Sequence, residues 1–179
     1  MMRKSKSDYI SRAQRFIHQI SQYIDADSLY VDDFNYAVAK YNRTYHRHVI
    51  FAHGATRFAL ITSDYVVKVD YDEWQISRFG GCENELSIYT QACNDGMEYL
   101  FAEITPYSYH GITYYIMPRI GGIGRYEEDA WEYMTEEESD WCYSHGLFDL
   151  HNENYGWKNG EIILIDYGAF SQYEGEEDE

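Results

Sequence analysis

The sequence predicts an α+β fold: a five-stranded antiparallel sheet with one inserted helix, preceded by two N-terminal helices. Three observations lead there. Two segments before residue 42 repeat apolar residues at intervals of three and four. Between residues 47 and 119, five short apolar runs are separated by turn residues, the pattern of strands joined in sequence. A segment with helical periodicity, residues 82–95, falls between the third run and the fourth.

Residues 5–24 put Ile10, Ala13, Ile17, Ile20 and Ile24 on one helical face. Ser7 is the expected cap, and Asp8 brings negative charge to the first turn, where the helix dipole favours it. Residues 32–41 repeat the pattern with Phe34, Ala37, Val38 and Tyr41. These two helices pack on the sheet or form a partner surface, and the sequence leaves both open. Strands follow at 47–52, 58–62 and 65–70, with Gly54 in the first connection and a tight Ser63-Asp64 turn in the second. The third strand reads Val66-Val67-Lys68-Val69. An unpaired ammonium is costly to bury, so a lysine here either has a partner or lies on an edge strand facing solvent. Alternation puts Lys68 on the face of Val66 and Asp70.

The helix at 82–95 is expected to end at Gly96, the residue that tolerates the left-handed conformation past a helix end. Glu85 lies 17 residues after Lys68 and shares a face with Ile88, Tyr89 and Ala92, whereas Glu83 lies on a more polar face with Leu86, Ser87 and Thr90. Glu85 is therefore the inward carboxylate and the candidate partner of Lys68, the plain alternative being a surface glutamate. Strands at 99–107 and 112–119, with Gly111 at the turn, complete the sheet. Gly121-Gly122-Ile123-Gly124 follows no strand-to-helix switch and is expected to be a flexible linker. Residues 126–145 are acidic and helical in pattern, with Trp131, Met134 and Trp141 as buried anchors and eight acids between Glu127 and Asp140 on a solvated face. Asn159-Gly160 predicts a two-residue hairpin turn. A buried strand at 162–165 then leads to Asp166, and an acidic tail at 172–179 is expected to be disordered.

At 179 residues the chain is expected to form one domain, or one domain with an N-terminal extension. Its 20 tyrosines supply much of the apolar surface and favour an ordered domain over a disordered acidic one. The net charge of −17 is uneven. Residues 1–47 hold eight Lys/Arg against five acids, and the remainder holds 6 basic and 26 acidic residues, a balance of −20. That field argues against direct nucleic-acid binding and favours basic partners, including proteins whose own sites bind DNA or RNA; a surface that serves solubility is the plain alternative. Three cysteines without C-x-x-C spacing argue against a disulfide framework and a zinc site. His46 and His48 lie two apart on the expected first strand and, like the other histidines, are read as structural or surface residues. No 18-residue apolar run or signal segment is present, so no membrane association and a cytoplasmic location are expected.

Residues 148–168 concentrate the chemistry. Asp149-Leu150 is followed by Asn154 five residues after the aspartate, then by the hairpin, then by Asp166-Tyr167-Gly168. The hairpin brings Asn154 and Asp166 together, and hard cations such as Mg²⁺ take oxygen ligands of this kind beside phosphate oxygens. D-L-x-x-x-N, a hairpin and D-[FY]-G resemble the catalytic loop and metal-binding turn of the protein-kinase-like superfamily. With His151 after Asp149-Leu150, the wording is closer to the aminoglycoside and choline kinase branch, and it also resembles small serine/threonine kinases of bacteriophages.

The resemblance covers roughly residues 47–170 and implies a kinase-like small lobe with a strongly reduced large lobe. The domains it implies are an N-terminal helical extension (1–46), a small lobe with hinge (47–120), a minimal catalytic lobe (121–171) and the acidic tail (172–179). It implies ATP and Mg²⁺, with Lys68, held by Glu85, on the phosphates; the Gly54 turn over them; Met117 at the adenine edge, or else an ordinary core methionine; Asn154 and Asp166 on the metal; and Asp149 as the proton acceptor. The sequence departs from the family in several places. The phosphate loop has one glycine where the family has three, Phe148 replaces an arginine, and His151 replaces a lysine. Only 11 residues follow Gly168, so the parts that hold protein substrates in larger relatives are not expected here. The implied function is a minimal viral protein kinase acting on host proteins in the host cytoplasm. The alternative is a weak or inactive kinase-like protein that acts as an acidic inhibitor of a host nucleic-acid-binding protein.

Overall fold

The computed structural model describes residues 6–25, 29–54, 56–71, 80–124 and 126–168. The side chain of Ser7, the expected cap, and the tail at 172–179 lie outside what is described. The chain is α+β and forms two compact units: unit 1 is Met1–Glu73 with Glu103–Arg119, and unit 2 is Trp74–Ala102 with Ile120–Glu179. Among the described residues there are four α-helices, and none is long and apolar enough to cross a membrane.

Unit 1 contains α1 (Lys6–Ile20), α2 (Val31–Tyr45) and a five-stranded sheet of β1 (Ile50–His53), β2 (Arg57–Ile61), β3 (Tyr65–Asp70), β4 (Thr105–Tyr109) and β5 (Ile112–Pro118). The strand order is β1-β2-β3-β5-β4 and every pairing is antiparallel. One face of the sheet is closed by the helices. Ala13, Phe16, Ile17 and Ile20 from α1 and Phe34, Ala37, Val38 and Tyr41 from α2 form one cluster with Phe58, Leu60, Val67, Val69, Tyr114 and Ile116. Each large apolar side chain buried in this way contributes about 1.5–3 kcal/mol. Of the two roles left open for these helices, packing on the sheet is the one observed.

Unit 2 contains α3 (Cys82–Asp95), α4 (Glu136–Ser144) and the hairpin of β6 (Tyr155–Lys158) and β7 (Glu161–Leu164). Helix α3 has the expected bounds and ends at Gly96, whose φ is 77°. Asn159 and Gly160 both have positive φ, 58° and 91°, as the two-residue hairpin turn requires. Gly156 is needed for a different reason: a Cβ there would stand 2.7 Å from the Gly121 carbonyl oxygen and from a methyl of Ile120.

Several boundaries differ from expectation, each for a local reason. The first strand starts at Ile50 because the Asn42 amide takes both the N–H and the C=O of Val49, at 2.8 Å each. His46 is consequently not on a strand but ends α2 in the left-handed conformation, and His48 precedes β1. The fourth strand starts at Thr105 because residues 98–100 form a 3₁₀ turn and the N–H of Ala102 bonds the Leu164 carbonyl at 2.8 Å. The acidic segment is two helices: a 3₁₀ turn, Ala130–Tyr133, and α4, separated by the extended Thr135. Thr135 and Glu138 form a capping box, in which each side chain meets the other's backbone N–H. Trp131, Met134 and Trp141 are half-buried, and Ala130 and Cys142 are the buried residues of this region. The glycine segment expected to be a linker is tied to the hairpin, with the Trp157 N–H on the Gly121 carbonyl at 2.7 Å and the Gly124 N–H on that of Asn152 at 3.1 Å.

Candidate functional site

The β6–β7 hairpin determines the site's backbone. The Asn154 carbonyl, at the entry to β6, accepts from the N–H groups of Ile165 and Asp166 at 2.8 and 3.3 Å, just past β7. Residues eleven and twelve positions away are thereby fastened to Asn154. The Asn154 side chain is buried, and its Nδ2 donates to the Asp149 carbonyl at 2.6 Å. One asparagine thus sets both the Asp166 backbone and the loop carrying Asp149. The Asp149 carboxylate itself is well exposed, at 65%. The His151 Nδ1 accepts from the Glu153 N–H at 3.2 Å, which puts its proton on Nε2, 3.8 Å from Asp149 Oδ1 and beyond hydrogen-bond range.

The Asp166-Tyr167-Gly168 turn is held from the other side by the first turn of α3. The Tyr167 N–H donates to Glu85 Oε1 at 3.3 Å, and Asn84 Nδ2 donates to the Gly168 carbonyl at 3.0 Å. Glu85 is fully buried, on the α3 face that also buries Ile88 and Ala92. Tyr167 is buried against Phe101, with ring centroids 4.9 Å apart, and its hydroxyl donates to the Ala102 carbonyl at 2.7 Å. Burial, reinforced by the Glu85 carboxylate, pushes that hydroxyl well above its ordinary pKa, so it stays a donor.

Unit 2 therefore gathers Asp149, Asn154, Asp166 and Glu85. Lys68, Met117 and Gly54 belong to unit 1. Lys68 is buried and pairs in register with Ala59 and Tyr115, while Val66 pairs with Met117. Directly paired residues share a face, so Lys68 and Met117 lie on the face opposite the helices. Gly54 lies in the β1–β2 connection, where its carbonyl accepts from the Tyr71 hydroxyl at 2.8 Å. A Cβ at Gly54 would meet nothing within 4 Å.

Among the described residues, no three His, Cys, Asp or Glu side chains are placed to hold a metal ion together. Asn154 and Asp166 offer an amide oxygen and a carboxylate instead. That set fits Mg²⁺, which binds one or two carboxylates and completes its shell with phosphate and water. Sequence reading missed Asn84, whose amide is an ordinary helix N-terminal residue until the turn it binds is in place. It also missed the structural part played by Tyr167. No protein-family model and no curated protein matches the chain.

Proposed function

We propose that the chain is an ATP- and Mg²⁺-dependent phosphotransferase of kinase-like architecture, a minimal serine/threonine protein kinase of viral type acting on host proteins. The observation supporting this reading is that one buried asparagine, Asn154, holds the Asp149 loop and the Asp166 backbone while Glu85 holds the turn beyond Asp166. In this reading the sheet of unit 1, with its two added helices, is the counterpart of a kinase small lobe. Lys68 binds phosphate oxygens, the Gly54 turn covers the phosphates, and Met117 borders the adenine. When bound by Asn154 and Asp166, Mg²⁺ supplies positive charge to the phosphate oxygens. The acceptor hydroxyl oxygen bonds to the terminal phosphorus as the bond to ADP breaks, and its proton passes to Asp149, whose exposure lets an acceptor reach it. Phosphate transfer from radiolabelled ATP tests the reading: wild type labels an acceptor, and Asp149→Ala and Asp166→Ala do not. Equal labelling by all three proteins overturns it.

A second reading rests on the acids between Glu127 and Asp140, of which all but the half-buried Glu138 are exposed. They suit a binder of a basic host protein that itself handles nucleic acid. Such a complex weakens steeply with salt. Capture that persists unchanged at high ionic strength removes this reading.

A further inference from the structure

In a chain with a net charge of −17, one concavity collects positive charge. It lies wholly within unit 1, between α1, the turn after α2, and the Ser63-Asp64 turn joining β2 to β3, and it encloses about 650 Å³. Arg12, Arg15 and Arg47 line it against one carboxylate, Asp64. Asp64 is engaged by Arg12 through Nη1, so Arg15 and Arg47 leave the wall net positive. The Arg12 Nη2 is buried and, among the described residues, has no hydrogen-bond partner. An atom so enclosed is not open to a ligand, so the guanidinium groups that line the concavity in the open are those of Arg15 and Arg47.

The remaining wall is aromatic and donor-rich. The Tyr41 hydroxyl reaches Gln19 Oε1 at 3.4 Å and that of Tyr65 reaches the Arg12 carbonyl at 3.5 Å, both at the long limit of hydrogen bonding. Burial pushes Tyr65 up to about 12 and raises Tyr41, so both phenols remain protonated donors. Tyr45 is half-buried, lines the concavity and packs on Tyr41 with ring centroids 4.8 Å apart, which gives the cavity an aromatic side open to a ligand. The volume falls within the range of small-molecule sites, about 300–1,000 Å³.

We infer that this concavity binds a small aromatic phosphomonoester, with Arg15 and Arg47 on the phosphate and the Tyr45 ring against the ligand's ring. None of these residues takes part in the proposed phosphate transfer, so the two readings stand or fall separately. Calorimetric titration of the full chain with phenyl phosphate and with inorganic phosphate tests the inference. Phenyl phosphate binds at least about tenfold more tightly than inorganic phosphate, and Arg15→Ala and Arg47→Ala each weaken it about tenfold, as expected for loss of a charge-assisted bond. Both arginines are exposed, so the unfolding midpoints of these variants stay at the wild-type value. Asp166→Ala binds phenyl phosphate as wild type does. No binding of phenyl phosphate, equal binding of the two probes, retention of affinity in the Arg15→Ala/Arg47→Ala double variant, or loss in Asp166→Ala each overturns the inference.

Discussion

Asn154 carries three of the bonds that shape the candidate site, two through its carbonyl and one through its amide. Replacing it with alanine removes the amide bond to the Asp149 carbonyl, at a cost of about 0.5–1.5 kcal/mol. Urea denaturation of Asn154→Ala is expected to show that loss, together with loss of phosphate transfer. Asp166→Asn is expected to lose transfer with a much smaller change in midpoint, because the backbone bond to Asn154 survives. Glu85 was legible as an inward carboxylate from helical periodicity alone. Its bond to the Tyr167 N–H was not, because that partner lies 82 residues away and depends on where a turn is docked. Glu85→Gln keeps an acceptor oxygen for that N–H and Glu85→Ala does not. Chemical denaturation should therefore rank wild type first, glutamine second and alanine last.

At the scale of elements, α4 and the hairpin give separate tests. Burial pushes the Glu138 carboxyl upward, but hydrogen bonds from the Thr135 backbone and hydroxyl and from the Tyr99 hydroxyl outweigh it and hold its pKa below the ordinary 4.5. A carboxyl lowered in this way contributes stability that is present above 4.5 and is lost as pH falls through the folded value. The urea midpoint of wild type should thus drop more steeply below pH 4.5 than that of Glu138→Gln. The T-E-E-E signature of this cap was present in the sequence, but the surrounding acidic run read as one continuous helix and masked the break. In the hairpin, Gly156→Ala drives a methyl into the Gly121 carbonyl and Ile120, and a denaturation midpoint should report a loss of about 1–3 kcal/mol from the forced shift. The displaced starts of β1 and β4 have a common cause. Side-chain and distant backbone partners captured donors that β-propensity assigns to the sheet.

At the scale of the whole chain, the N-terminal helices are part of a core. Phe34 is fully buried with its ring 4.5 Å from that of Phe58 on β2. Phe34→Ala is expected to cost about 3–5 kcal/mol, measured by urea unfolding. A helical appendage without a share in the sheet's core would show almost no change. The phosphotransferase reading also makes a prediction at this scale, because a ligand that binds only the folded chain raises its melting temperature. Mg²⁺ with ATP should raise the melting temperature of wild type and should do so less in Asp166→Ala.

By itself the sequence determined what short-range periodicity encodes: the α+β class, the bounds of β3 and α3, the Asn-Gly turn, the inward face of Glu85, and the spacing that places Asn154 and Asp166 at the two ends of one hairpin. These follow from repeats of two and 3.6 residues and from turn chemistry, which act over a few positions. The tertiary structure decided which groups meet across long separations: the helices closing one sheet face, Asn84 and Glu85 clasping the Asp166–Gly168 turn, and three arginines from α1 and the turn after α2 gathered around one concavity. Such pairings depend on competition among many donors and apolar faces in the folded chain, and no local pattern records who wins.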